Sequence, residues 1–153
     1  PNIQLDFFDS FEDMLNEDNW NGYKNRIAHS VIMEPKYDWE SQKVGGSAPP
    51  LKTEKGWILI YHGVDDNNVY RSSVALLDLN NPKKVISRIP YPMLEPEEEY
   101  ELYGDVNNVV FPEGAYINNG EIFVYYGAAD KHIALAKIQV HELLDELDNY
   151  KTF

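Results

Sequence analysis

The stretch GWILIYHGVDD, residues 56–66, occurs a second time as GEIFVYYGAAD, residues 120–130, 64 positions further along the chain. Each copy is an apolar run that ends in an aromatic pair, a glycine and an aspartate. Apolar runs of this length, bounded by glycine and aspartate, predict β-strands. A strand that recurs at a fixed interval is typical of modular β-architectures such as propellers. The repeat therefore predicts equivalent strands in two blades, with their polar ends near a central funnel.

The composition is that of a globular domain with a negative surface. Of 153 residues, 43% are hydrophobic and 13% aromatic, with eleven tyrosines, which suits twisted sheets and sugar-binding surfaces. The net charge of −13 argues against nucleic acid and anionic membranes as partners, and no apolar run approaches the length of a membrane span. Cysteine is absent, which favours a reducing compartment, so we expect a cytoplasmic location. We expect one domain over residues 1–153.

Strand signals dominate the chain, and an amphipathic helix over residues 141–147 follows the last strand. Ser10 is expected to cap a short helical turn or loop, and Asn118-Asn119-Gly120 to form a hairpin turn. Loops are expected at residues 16–22, 43–50 and 97–99. Strands are predicted at residues 3–8, 27–33, 51–53, 57–62, 70–79, 84–89, 109–111, 114–117, 122–126 and 133–140.

These strands group into four-stranded antiparallel units. A hairpin followed by two further strands recurs at the 64-residue interval, which gives two complete units and one incomplete unit. A propeller needs at least four blades to close. The sequence therefore predicts an all-β partial propeller of about two and a half blades with a short C-terminal helix. Its exposed blade edges would attract another polypeptide or a second copy of the chain.

Four segments resemble glycoside hydrolase family 130, the β-mannoside phosphorylases and their hydrolytic relatives. The segments are VGGSAPPLKTEKGWILIYHGV, YRSSVALLDLNNPKKVISR, NNVVFPEG and YYGAADKHIALA, and the resemblance runs from Trp20 to Tyr150. It implies a five-bladed β-propeller about twice this length, of which this chain would be the C-terminal half. The family's catalytic aspartate, a general acid, and arginines that help to bind phosphate belong to the other half. The resemblance thus implies no catalytic residue in this chain.

The resemblance implies inverting phosphorolysis, in which inorganic phosphate attacks a β-mannoside and releases mannose 1-phosphate. Phosphate is then a co-substrate, and no other cofactor is expected. Through its match to the family motifs, Lys52 is expected to reach the pocket and contact substrate or phosphate. His62 and Tyr70 are likewise expected to bind phosphate in that pocket. A histidine at a strand end can donate to a phosphate oxygen, and the second copy has Tyr126 at this position. The alternatives are an exposed hairpin lysine, a structural histidine and an ordinary strand tyrosine.

The sugar side of the site is also assigned by resemblance. Asp130 is expected to hydrogen-bond the sugar in the −1 subsite, and Phe111 to offer it an apolar face. A turn aspartate and a core phenylalanine are the alternatives. Arg71 is expected either to contribute to the site or to pair with carboxylates of the sheet. Glu113 would activate water if the protein were a hydrolase.

Three functions stay open at this point. The first is part of a β-mannoside phosphorylase that is inactive without its missing N-terminal half, because the general acid lies there. The second is a non-catalytic half-propeller that binds sugars or assembles with itself, and the third is a fragment of a β-mannosidase. The four histidines lack metal-ligand spacing, so no metal is expected. The expected partners are a β-mannoside or oligosaccharide, and either a second copy or a complementary half-propeller.

Overall fold

A computed structural model of the chain describes residues 2–151, so Pro1 and the last two residues of the predicted domain lie outside the described part. Its strands form three antiparallel sheets. The strands are β1 Ile3–Gln4, β2 Val31–Met33, β3 Lys43–Gly46, β4 Leu51–Lys52, β5 Trp57–Val64, β6 Tyr70–Leu77, β7 Val85–Arg88, β8 Val110–Asn118, β9 Glu121–Ala128 and β10 His132–Gln139. The helices are α1 Phe11–Leu15, α2 Glu17–Trp20, α3 Tyr23–Arg26, α4 Glu99–Leu102 and α5 Val140–Asp148, with 3₁₀ turns at Ile27–Ser30 and Asp38–Glu40.

The first sheet contains the first copy of the repeat. Its order is β3-β5-β6-β7, and β4 also pairs with β5 beyond the end of β3, so the sheet has four strand positions. The predicted hairpin between β4 and β5 is confirmed. In its turn, the N–H and the hydroxyl of Thr53 both donate to the Gly56 carbonyl, and the hydroxyl accepts from the N–H of Lys55. Between β5 and β6, the Asp65 carboxylate accepts from the backbone N–H groups of Asn67 and Val69.

The second sheet contains the second copy and has the order β10-β9-β8. Strand β9 spans the residues that lie 64 positions after those of β5, and the two strands belong to different sheets, as predicted. Asn119 and Gly120 both have positive φ at the tip of the predicted β8–β9 hairpin, as a tight primed turn requires. The described residues give this sheet three strands, so the predicted fourth strand of the second unit is not formed within residues 2–151.

The two sheets pack face to face through one apolar core. Alternate residues of β5 and β9 point toward each other, and Ile58 and Ile122 are fully buried. Helix α5 covers one edge of this core with the leucines that its period predicts, Leu143, Leu144 and Leu147. The predicted C-terminal helix is therefore confirmed. The structure shows a partial propeller in which neighbouring blades share their apolar faces.

The opposite face of the first sheet is buried by the N-terminal segment. Leu59 and Tyr61 point to this side, and Ile3 of β1 and Met33 of β2 pack against the same cluster. The β1–β2 pair is a two-stranded sheet and represents the expected incomplete unit. It is shorter than the predicted strands, because residues 5–30 form short helices and turns instead. Ser10 accepts from the N–H of Asp13 and caps α1, as expected.

A second repeat links the blades. The segments PKYDWE, residues 35–40, and PEEEYE, residues 96–101, precede the two sheets at an offset of 61 residues. In both, the last glutamate is buried and accepts from the N–H groups three and four residues before it. Glu40 then binds Arg88 at 2.6 Å, and Glu101 accepts from the Tyr126 hydroxyl at 2.6 Å. These carboxylates fasten each connecting loop to the sheets.

Three of the predicted loops contain regular structure. Residues 43–46 form β3 because their backbone pairs with the end of β5, despite two glycines. Residues 17–20 form α2, whose N-cap Asn16 accepts from the N–H of Asp18. Helix α4 begins at Glu99 within the predicted acidic loop. None of the helices within residues 2–151 is long and apolar enough to cross a membrane.

Candidate anion site between the two sheets

The first strand of the site presents every second residue to one face. Lys43, Gly45 and Ser47 alternate along β3 and its continuation, so they share the face that carries His62. Gly45 lies directly opposite His62, and the N–H of Ser47 still donates to the carbonyl of Ile60. The pattern Lys-x-Gly-x-Ser therefore provides an ammonium group, an open space and a hydroxyl on one face.

The imidazole of His62 is fixed on both sides and is only 8% exposed. On one side lies Gly45, where an added Cβ would come within 2.4 Å of His62 Cε1 and 2.6 Å of Nε2. On the other side Phe111, from the second sheet, has its ring centroid 4.4 Å away. The ring can occupy this place only because residue 45 lacks a side chain.

Burial and charge keep His62 neutral near pH 7. Burial is the larger cause and the positive charge of Lys43 the second, and together they lower the pKa of His62 to about 4. The ring is held by Ser47, whose Oγ lies 3.2 Å from Nδ1. Within residues 2–151 Nε2 makes no hydrogen bond, so this nitrogen is available to a ligand.

Lys43 and Tyr70 complete the arrangement. The Nζ of Lys43 donates to the Tyr70 hydroxyl at 3.1 Å. The Tyr70 ring lies 6.1 Å from the His62 ring and 6.3 Å from the Phe111 ring, centroid to centroid. A parallel bridge between Tyr70 and Val109 joins the two sheets at this point. We call the set of Lys43, Ser47, His62, Tyr70 and Phe111 the His62 cluster.

The structure corrects the expected position of Lys52. This lysine pairs with Trp57 at the far end of β5, and its Nζ lies 5.5 Å from the Trp57 ring centroid. Trp57 and His62 are five positions apart along the strand, a distance of about 17 Å at ~3.3 Å per residue. Lys52 therefore does not share a pocket with His62 and Tyr70. The lysine beside them is Lys43, which could have been found from the alternation of Lys43, Gly45 and Ser47.

Asp130 lies in a constrained turn at the same end of the second sheet as Phe111. Ala129 and Asp130 both have positive φ, and the Lys131 N–H closes the turn on the Ala128 carbonyl. Such angles are uncommon for residues with a side chain and mark strain at functional sites. Gly104 packs against Ala129 so closely that a Cβ would lie 2.2 Å from its carbonyl oxygen. The turn thus holds the Asp130 side chain exposed to solvent.

Arg71 and Glu113 lie outside the cluster. Arg71 binds Asp65 at 2.8 Å and Glu95 at 3.1 Å, so it pairs with carboxylates beside the sheet. Glu113 is exposed in a β-bulge of β8, between Pro112 and Gly114. Within residues 2–151, no group of three or more histidine and acidic side chains is arranged to hold a metal ion.

Comparison with known proteins agrees with this fold. The model of the family described as beta-1,4-mannooligosaccharide phosphorylase matches residues 9–149. A beta-1,2-mannobiose phosphorylase of Thermoanaerobacter sp. (strain X514) is 58% identical over 108 residues, which are 70% of this chain and 36% of that protein. A 1,2-beta-oligomannan phosphorylase of the same strain is 47% identical over 78% of this chain and 41% of that protein.

A solved structure gives the same result. The beta-1,2-mannobiose phosphorylase from Listeria innocua, in complex with beta-1,2-mannobiose, aligns with a TM-score of 0.75 and 37% identity, over 78% of this chain and 34% of that one. The described sheets are therefore blades of a β-propeller of the mannoside phosphorylase type. The chain belongs to glycoside hydrolase family 130. It spans between a third and about two fifths of the length of these relatives.

Replacing Gly45 by alanine should displace the His62 ring. The new methyl would overlap the imidazole, and we expect a loss of about 1–3 kcal/mol in the free energy of unfolding, as for other overpacked sites. Gly46→Ala is the matched control, because its added Cβ meets only Ile3 Cγ2 at 4.0 Å. Urea unfolding followed by tryptophan fluorescence measures both variants. Equal stability of the two would show that the ring does not need the space at residue 45.

His62 should make stability depend on pH between about 6.5 and 4. Its pKa is lower in the folded state than the unfolded value of about 6.5, so the unfolded chain binds a proton first on acidification. The stabilisation is complete above pH 6.5 and declines as the pH falls toward 4, by about 3 kcal/mol in total. Carboxylates also titrate in this pH range, so the stability of wild type is compared with that of His62→Gln. His132→Gln, at an exposed histidine, is the control. The gap in stability between wild type and His62→Gln should narrow on acidification, and a constant gap would contradict the assignment.

Proposed function

We propose that the His62 cluster binds inorganic phosphate as the co-substrate of a β-mannoside phosphorylase. The observation that carries the proposal is the contact between Lys43 Nζ and the Tyr70 hydroxyl beside a buried histidine. These groups can all act as hydrogen-bond donors, and Lys43 adds a positive charge. A phosphate dianion can accept from all three, whereas water activation would require a carboxylate at this place.

The chemistry follows from what a bound phosphate would do. A phosphate oxygen attacks the anomeric carbon of the mannosyl unit, the glycosidic C–O bond breaks, and inversion gives α-mannose 1-phosphate. The dianion is already nucleophilic, so the protein has to hold it in line and offset its charge. Lys43, Tyr70 and neutral His62 would do this from one side. The leaving oxygen needs a proton from a general acid, which we assign to the part of the propeller absent from this chain.

The sugar would lie between phosphate and the turn of Asp130. Phe111 touches the His62 ring and faces the same junction, so it can cover the apolar side of a mannosyl ring. Asp130 is exposed in a positive-φ turn whose Ala129 packs against Gly104, and such a constrained, exposed position supports a ligand-binding role. Names of the relatives suggest β-1,2-linked mannosides as the first substrates to test. The cytoplasmic location expected from the lack of cysteine stays a prediction.

The proposal is tested by a pair of lysine substitutions. Lys43→Met should weaken binding of inorganic phosphate about ten- to hundredfold, because it removes a charged donor. Lys52→Met, at the other end of β5, should leave phosphate binding unchanged. Phosphate is titrated into each full chain while the ring resonances of His62 are followed by NMR. The assignment would be refuted if the His62 signals did not shift on addition of phosphate, or if Lys52→Met abolished phosphate binding.

We propose further that another propeller blade covers the outer face of the second sheet. On this face, Phe123 and Tyr125 are the counterparts of Leu59 and Tyr61 in the first sheet. Leu59 and Tyr61 are buried, with 5% and 0% exposed, whereas Tyr125 is 42% exposed. Phe123 stacks on Tyr116 at 5.0 Å, which extends the apolar surface. In the first sheet the equivalent face is buried by β1 and β2. A complementary half-propeller would provide the same cover here.

Without that cover, the apolar face should drive association between copies of the chain. We expect sedimentation velocity to show species larger than the monomer that grow with protein and salt concentration, since salt screens the net charge of −13. Tyr125→Glu combined with Leu135→Glu should shift the chain toward monomer. Tyr103→Glu, at an exposed tyrosine outside the sheets, is the control. A wild-type chain that stays monomeric at high concentration would contradict the proposal.

A further inference from the structure

We propose that Ser47 is a positioning residue that keeps the His62 imidazole in the tautomer protonated on Nε2, so that His62 donates to the anion held by Lys43 and Tyr70. The inference deepens the proposed phosphate site and rests on it. It concerns a hydroxyl that touches His62 on the side away from the proposed ligand. Its effect would be exerted through the ring.

The place of the ring leaves one property undetermined by packing. Gly45 on one side and Phe111 on the other hold the imidazole plane, so rotation of the ring is restricted. A neutral imidazole still has two tautomers, with the proton on Nδ1 or on Nε2. The hydrogen bond at one nitrogen selects between them. At Nδ1 that partner is Ser47 Oγ, at 3.2 Å.

A hydroxyl can donate or accept, and only one choice suits an anion. If Ser47 accepts from Nδ1–H, Nε2 presents a lone pair, which repels the unprotonated, charged oxygens of phosphate. If Ser47 donates to Nδ1, Nε2 carries the proton and becomes a neutral donor. The doubly protonated ring is disfavoured by burial and by Lys43, which lower the pKa of His62. The neutral donor is therefore the form that can work beside Lys43 near pH 7.

The state of Nε2 supports a role in binding. Within residues 2–151 this atom makes no hydrogen bond, and it is not one of the buried side-chain atoms that lack a partner, so it is open to solvent and to a ligand. The Tyr70 ring stacks on the His62 ring, and the Tyr70 hydroxyl accepts a hydrogen bond from Lys43 Nζ. An anion bound by them is the partner that would satisfy Nε2.

The tautomer can be measured directly by NMR. In the ¹⁵N-labelled full chain, long-range ¹H–¹⁵N correlations distinguish the two ring nitrogens of each histidine, and His62→Gln assigns the His62 signals. We expect wild type to have a protonated Nε2 and an unprotonated Nδ1 near pH 7. Ser47→Ala should mix the two tautomers, and Ser47→Thr, which keeps the hydroxyl, should restore the wild-type pattern. Dispersion of the amide signals reports whether each variant is folded.

Phosphate titration separates this inference from the proposed function. Ser47→Ala should weaken phosphate binding about tenfold, the value of roughly one hydrogen bond, and Ser47→Thr should recover it. A His62 protonated on Nδ1, or a tautomer that Ser47→Ala leaves unchanged, would overturn the role of Ser47. A protonated Nε2 in a chain that does not respond to phosphate would instead overturn the phosphate site and leave the Ser47 contact standing.

Discussion

One apolar contact, between facing rows of β5 and β9, sets the distance between the two sheets, and the candidate site depends on that distance. Ile58 and Ile122 are fully buried there, and helix α5 covers the edge of the contact. Because each strand alternates its side chains, the face that packs the isoleucines also carries His62 at its far end. Phe111 reaches His62 from the second sheet at that end. A cluster of polar groups is thus assembled where an apolar core runs out.

The electrostatics of this junction favour an anion over other ligands. Lys43 lies beside a histidine that burial keeps neutral, so one positive charge is present without a compensating carboxylate in the His62 cluster. Partial burial weakens the screening of that charge by water, which strengthens its attraction for a phosphate. Elsewhere on the first sheet Arg71 and Arg88 pair with carboxylates, and Lys52 lies over the Trp57 ring. Because the protein as a whole carries a net charge of −13, the charge of Lys43, unpaired within residues 2–151, is a local positive site on a negative molecule.

The sequence predicts the repeat, the hairpins and helix α5 well, since each has a local signal: spacing, Asn-Gly turns or a leucine period. It predicts the site less well, because the residues of a strand do not show which other strand it pairs with. Residues 43–46 suggest a loop through their glycines, and only pairing with β5 makes them a strand. Once they form one, alternation turns Lys43 toward His62, while Lys52 falls at the opposite end. Family motifs alone could not choose between two lysines nine residues apart.

The two copies of the repeat also show why His62 differs from its counterpart. Tyr126 occupies the equivalent position, and its hydroxyl is bound to Glu101, the buried glutamate of the second connecting loop. Burial alone would raise the pKa of Glu101, but the Tyr126 hydroxyl and two backbone N–H groups lower it below the ordinary value. In the first copy, the equivalent Glu40 binds Arg88 instead and leaves His62 without a carboxylate partner. The side chain at this strand position therefore anchors a loop in the second blade, where it is Tyr126. In the first blade, where it is His62, it has no carboxylate partner and can bind a ligand.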